Sequence, residues 1–311
     1  MYKPGEESED AACLKLYDGH DWKWFRAGLL HTDMEYLRRH WSGKKSSAPV
    51  LEKRHQKYFL RFSYTEEVTL SKTPVKDQLI CSVDLGINTD AVCSIMRSDG
   101  TVLDRKFINF PSEKDRLSHV LGRIRRFQKE HGSKQIGSRW AYAKRLNTEL
   151  ARKTARSITE YAHENHADVI VFEYLEMKGK ISGKKRQKLH LWKKREIQTM
   201  CEHKAHRYGI RVSRVCAWNT SRLAYDGSGP VSRDPKNHSL CVFQSGKQYN
   251  CDLSASYNIG ARYWIREIIK TLPETERSSL EAKVPAVKRR TSCVYADLLI
   301  LQNEYGCSKA A

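Results

Sequence analysis

Ile80-Cys81-Ser82-Val83-Asp84-Leu85-Gly86-Ile87-Asn88 is an apolar run that meets a carboxylate before it meets a turn. A buried strand normally ends before its first charge, because an unpaired carboxylate loses its hydration there. Asp84, at the last buried position, therefore asks for a partner, most often a cation. Taken alone, Asp-x-Gly after a strand also reads as an ordinary turn or helix cap. Carboxylates placed the same way elsewhere in the chain decide between the two.

Asp168-Val169-Ile170-Val171-Phe172-Glu173 is a second apolar run that closes on a carboxylate. A strand buried on both faces, following a helical connection, fits a parallel partner beside the first one. Asp84 and Glu173 then project at the same edge of one sheet. Between them, residues 91–96 and 101–109 read as strands joined by a hairpin turn at Asp99-Gly100. Helical patterns follow over residues 113–129 and 139–165, the second with Ala143, Leu146, Leu150, Ala155, Ile158 and Ala162 at helical spacing. The third carboxylate, Asp252, opens a helix predicted to run past Gly260 to about residue 271, before Pro273. The small residues Ser254, Ala255 and Ser256 let that helix pack closely on the sheet.

After Glu173, the glycine-rich and charged stretch with Lys178, Lys180, Lys184, Lys185 and Arg186 reads as a mobile basic loop beside the carboxylates. Glu176 lies past the strand end and is left out of the acidic set. A helix over residues 189–208 and a strand over 210–215 follow. Residues 274–311 mix charged and apolar residues without a period, the pattern of a poorly ordered tail.

Ahead of Gln78, residues 13–65 alternate at period two and interleave aromatic with basic side chains. Trp22-Lys23-Trp24-Phe25-Arg26 and Lys57-Tyr58-Phe59-Leu60-Arg61-Phe62 carry the pattern, so Lys23, Arg26, Lys57 and Arg61 are candidate nucleic-acid contacts. Most of the aromatics are expected to form the core of this β-rich module. A disordered acidic lead over 1–12 and a linker over 70–77 complete the front.

The formal net charge of +20, from 56 Lys and Arg against 36 Asp and Glu, repels itself in a compact chain and implies a phosphate-rich partner. A merely soluble basic protein and a membrane-surface binder are the alternatives. The spread of basic residues over whole segments, instead of one amphipathic helix, favours nucleic acid. No run of 18 or more apolar residues occurs, and the amino terminus is polar, which excludes a membrane-spanning helix and a secretory signal. Nine scattered cysteines without a Cys-x-x-Cys pair read as free thiols of a reducing cytosol.

Asp84 in Val-Asp-Leu-Gly-Ile-Asn, Glu173 in Val-Ile-Val-Phe-Glu-Tyr-Leu and Asp252 in Cys-Asp-Leu-Ser-Ala-Ser-Tyr-Asn-Ile resemble the three RuvC motifs of the TnpB family. These are transposon-encoded RNA-guided nucleases of bacterial insertion sequences, related to compact type V CRISPR effectors. The resemblance implies an α/β fold: an RNase H-like mixed sheet flanked by helices, preceded by a partial β-rich wedge-type domain that grips the guide. The expected domains are that wedge or oligonucleotide-binding-like part at 13–70, the nuclease core at 78–218, an insert at 219–250 and the third-motif helix at 251–272. The resemblance also implies two Mg²⁺ or Mn²⁺ ions on Asp84, Glu173 and Asp252, a guide RNA and a target DNA as partners, and a place in the bacterial cytoplasm at the nucleoid. No membrane and no small-molecule substrate are expected.

Two departures from the family stand out. The zinc ribbon usual between the second and third motifs has lost its cysteine pairs, so structural zinc is not expected. Tyr225, Leu240, Phe243 and Tyr249 replace it by packing, or the segment is loose; a site from Cys241, Cys251 and His238 is a minor alternative on spacing. The helical segment and first part of the wedge, about a hundred residues, are expected to be absent from this chain. Besides guided cleavage, two other functions fit: a non-cleaving nucleic-acid binder, and a strand-transfer enzyme of the transposase kind.

Overall fold

The computed structural model describes residues 2–4, 10–54, 56–132, 136–174, 191–234, 237, 239–288 and 291–310. They form two compact units, residues 1–68 and 69–311. Lys178, Lys180, Lys184, Lys185 and Arg186 of the basic loop, together with Glu176 and His238, lie outside the described residues.

In the smaller unit, strands β1 (Tyr2–Pro4), β2 (Ala11–Tyr17) and β3 (Trp22–Gly28) make one antiparallel sheet. Helix α1 (His31–Trp41) follows, then two short ladders, β4 (Lys45–Ser46) with β7 (Tyr64–Thr65) and β5 (Val50–Arg54) with β6 (Lys57–Arg61). Two expectations fail here. The lead over 1–12 is not wholly disordered, because Tyr2–Pro4 pairs with Ala12, Cys13 and Leu14 of β2. The aromatics are not the core: Trp22, Trp24, Phe25, Tyr58 and Phe59 are all 44% exposed or more. Alternation needs a second layer to bury one face of a strand, and along β3 both faces stay open apart from half-buried Ala27.

The larger unit is built on a five-stranded sheet in the order β10-β9-β8-β11-β12. Strands β8 (Leu79–Leu85), β9 (Ala91–Arg97) and β10 (Val102–Ile108) form the expected antiparallel meander. Strands β11 (Val169–Tyr174) and β12 (Arg211–Cys216) add in parallel, β11 directly against β8. Helices α2 (Pro111–His131), α3 (Gly137–Glu164) and α4 (Lys194–Arg207) supply the crossovers.

Period-two alternation sends successive side chains to opposite faces. Cys81, Val83, Ile170 and Phe172 face the buried residues of α3 and α4, including Ala155, Ile158 and Cys201. Ile80, Val169 and Val171 face the other way, onto helix α5 (Cys251–Thr271) with Ile265, Ile269 and Trp264. Asp84 and Glu173 share that second phase, so they belong to the α5 face. Gly260 permits the closeness of α5: a Cβ there would stand 2.4 Å from Sδ of Met96 and 3.3 Å from Cβ of Ser82.

Residues after 273 are not a disordered tail. They form α6 (Glu274–Lys283), α7 (Pro285–Lys288) and α8 (Tyr295–Ala310). Leu280, Val284, Val287, Leu298 and Leu301 are buried in the same core as α5. The physical reason is the apolar back of α5, which would otherwise face water. Arg262 fastens the arrangement from inside, donating to the carbonyls of Cys216 and Cys293. No described helix is long and apolar enough to cross a membrane.

Candidate active site

Parallel pairing of β8 with β11 matches Val83 to Phe172. One step on, Asp84 and Glu173 come side by side on strands about 4.8 Å apart. Asp252 arrives from the first turn of α5, whose amino terminus is capped by Asn250 accepting from the Leu253 N–H at 2.9 Å. All three carboxylates line one cavity of about 650 Å³, and the sequence reasoning thus brought together residues 168 positions apart, Asp84 and Asp252.

The turn after Asp84 cannot carry a side chain at Gly86, where a Cβ would meet the Thr89 carbonyl oxygen at 2.5 Å. That loop is pinned from outside. Lys114 pairs with Asp90 at 3.0 Å and donates to the Asn88 carbonyl, while Asp90 accepts from the Phe110 N–H.

Electrostatics in the cavity follow from burial of like charge. Loss of hydration pushes the Asp84 carboxyl well up, and the negative charges of Glu173 and Asp252 push it further; Arg233 opposes them. Burial raises Glu173, against the Thr220 hydroxyl and the charges of Arg262 and Lys194. Burial raises Asp252 as well, against Arg233 and a hydrogen bond from Thr89.

Three positioning groups were not legible in the sequence. Thr220 donates its hydroxyl to Oε1 of Glu173. Asn258, on the buried face of α5, donates to the carbonyls of Thr220 and Leu223 and so fixes the segment that brings Thr220. Arg233 comes from the short sheet of β13 (Ser232–Arg233), β14 (Leu240–Val242) and β15 (Gln248–Asn250) and lines the carboxylate cavity. Its only local signal was a lone arginine among many.

That short sheet is held by packing. Ala224, Cys241, Phe243 and Cys251 are its buried core, and Tyr225 contacts Phe243 and Tyr249 at ring distances of 5.5 and 5.0 Å. Of the four expected packing residues, Leu240 lies outside this cluster.

Hard oxygen donors that are buried together suit a hard divalent cation, which would neutralise their repulsion. Yet no three His, Cys, Asp or Glu side chains among the described residues stand as a preformed cage. Glu173 accepts from Thr220 and Asp252 from Thr89, and each carboxylate keeps further lone pairs for a cation. The four cationic candidates named in the small unit, Lys23, Arg26, Lys57 and Arg61, are all exposed there, with Lys23 paired to Asp18 at 2.6 Å.

Fold and cavity together define an α/β protein with a mixed five-stranded sheet and an acidic cleft at the carboxyl ends of its central strands. The family model of the Cas12f1-like TNB domain matches residues 195–259, from α4 to the first turns of α5. A TnpB-like protein, aq_aa05, of Aquifex aeolicus (strain VF5) is 26% identical over 247 residues, 72% of this chain and 79% of its own. A TnpB-like protein, ORF457, of Acidianus two-tailed virus is 28% identical over 204 residues, 59% of this chain and 42% of its own. Among solved structures, the mini-RNA-guided endonuclease CRISPR-Cas_phi3 superposes with a TM-score of 0.52 at 14% identity, over 80% of this chain and 57% of that one. The chain is thus similar to TnpB-like proteins over 59–72% of its length. It spans less than half the viral relative's length.

Proposed function

We propose that this protein is an RNA-guided, metal-dependent DNA endonuclease with an RNase H-like core of the RuvC type. The observation that carries the reading is the convergence of Asp84, Glu173 and Asp252 on one cavity with Arg233 at its wall. Two Mg²⁺ or Mn²⁺ ions held by the three carboxylates would supply an activated water and a charge on the leaving oxygen of a phosphodiester.

The chain's own residues do the rest. Thr220 orients Glu173, and Thr89 orients Asp252. Arg233 brings a permanent positive charge to the cavity, where it can take a non-bridging phosphate oxygen. The short sheet therefore contributes to the reaction as well as to the fold. Exposed Trp22, Trp24, Tyr58 and Phe59 beside Lys23, Arg26, Lys57 and Arg61 offer base-stacking and phosphate contacts suited to a guide RNA. The basic loop with Lys178, Lys180, Lys184, Lys185 and Arg186 is assigned to the strand being cut. Pairing by the guide would supply sequence, with the protein reading shape and charge.

The test is cleavage of DNA by the protein purified with its copurifying RNA in Mg²⁺. Wild type cuts and Asp84→Ala does not. Undiminished cutting by the variant sinks the assignment, and joined strands as product would favour a transposase instead.

A further inference from the structure

A second cavity, of about 290 Å³, adjoins the acidic one and shares Gly86, Ile87 and Trp192 with it. Its volume sits at the lower end of the range of ~300–1,000 Å³ typical of small-molecule pockets, room for one planar ring system. Leu121, Leu150 and Ile197 make apolar walls with Trp192, and Asn147 and Arg125 add polar atoms. Two features mark the site as built for a ligand. The indole N–H of Trp192 is buried without a hydrogen-bond partner, although buried tryptophans usually find one. Asn147, 8% exposed, uses its amide N–H on the Leu191 carbonyl at 2.7 Å, which leaves its Oδ1 as an unused acceptor on the wall.

We infer that this cavity receives an unstacked nucleobase of the DNA strand whose backbone crosses Asp84, Glu173 and Asp252. The inference rests on the nuclease reading and adds a base subsite to it. A base edge carries both donors and acceptors, which matches one free N–H and one free carbonyl oxygen between apolar walls. The shared wall at Gly86, Ile87 and Trp192 places that base one step from the phosphate at the carboxylates. Lys114 and Arg125 line the cavity too, but a phosphate would leave its apolar walls unused.

The test compares a short oligothymidylate with an abasic oligomer of the same length, by fluorescence anisotropy without divalent metal. Ser118→Trp, from an exposed position on the cavity's rim, narrows the opening without disturbing the core. Stacking of one base accounts for roughly 5- to 150-fold in affinity. Ser118→Trp is expected to weaken the oligothymidylate at least fivefold and leave the abasic oligomer unchanged. Trp192→Phe, which keeps a ring and loses the N–H, should weaken the oligothymidylate alone as well. An unchanged ratio of the two affinities in both variants overturns the subsite, and so does an equal loss for the two oligomers, which would indicate a backbone contact. Cleavage by wild type and its loss in Asp84→Ala are read separately, so the subsite can fail while the nuclease reading stands.

Discussion

Glu173 shows how much of a buried charge is set by its neighbours. Its carboxylate holds Thr220 on one oxygen, and its backbone carbonyl accepts from Nε2 of Gln198 at 2.9 Å. Burial alone would favour the protonated form, and the hydroxyl of Thr220 works against that. Thr220→Val keeps the shape and removes the donor. On the proposed nuclease reading Glu173 is a metal ligand, and partners that orient such ligands typically contribute about 10–100-fold, so cleavage should slow by that factor while the melting temperature changes little. Thr220→Ser should restore most of the rate. A rate equal to wild type in the valine variant would show that Glu173 needs no such positioning.

At the scale of elements, α5 packs so closely on the sheet at Gly260 that no side chain fits there. Gly260→Ala drives a methyl into Met96 and Ser82, and overpacking of this kind costs about 1–3 kcal/mol. Thermal denaturation should show a lower midpoint, and Gly260→Ala combined with Met96→Ala should lose less than the sum of the two single losses. The β2–β3 hairpin gives a pH test. Asp18 accepts from Lys23 foremost, then from the N–H groups of Asp21 and His20, and is held at about 2 from an ordinary 3.8. A lowered acid contributes above its unfolded value and loses that contribution as pH falls through its folded one. The hairpin turn should therefore persist at pH 3.8 and loosen toward pH 2, followed as the carboxyl carbon shift by NMR. A midpoint at 3.8 would show that the three hydrogen bonds do not form.

The central strands were legible as short apolar runs that close on a carboxylate or a turn, and the helix from 251 by Asp252 at its start and the small residues after it. The ending at residue 271 was legible too, since Pro273 stops the helix. The last helices were not. In Leu298-Leu299-Ile300-Leu301 four apolar residues run together, and only Leu298 and Leu301 turn inward, so no period shows in the letters. The carboxylates could be read because each closes an apolar run or opens a helix. Arg233, Thr220 and Thr89 could not, because loops and two-residue strands carry no pattern that separates a cavity wall from surface. The exposed aromatics misled for a related reason: alternation marks a strand, but not whether a second layer covers it.

For the whole molecule, charge sets the dominant behaviour. With a net +20, binding to nucleic acid should weaken steeply with salt. Replacing Lys23, Arg26, Lys57 and Arg61 together by alanine should flatten the slope of log affinity against log salt by about three, if each meets one phosphate. A slope unchanged within error would remove the small unit from the binding surface. The larger unit carries its own consequence in the way Arg262 ties the carbonyl of Cys216, at the end of edge strand β12, to that of Cys293, just before α8. A chain is made from its amino end at ~5–20 residues per second. Asp84 and Glu173 leave the ribosome well before α5, and α5 before the helices that cover its back. The acidic cleft is therefore completed only after α5 has emerged, and the back of α5 is covered only after the helices that follow it.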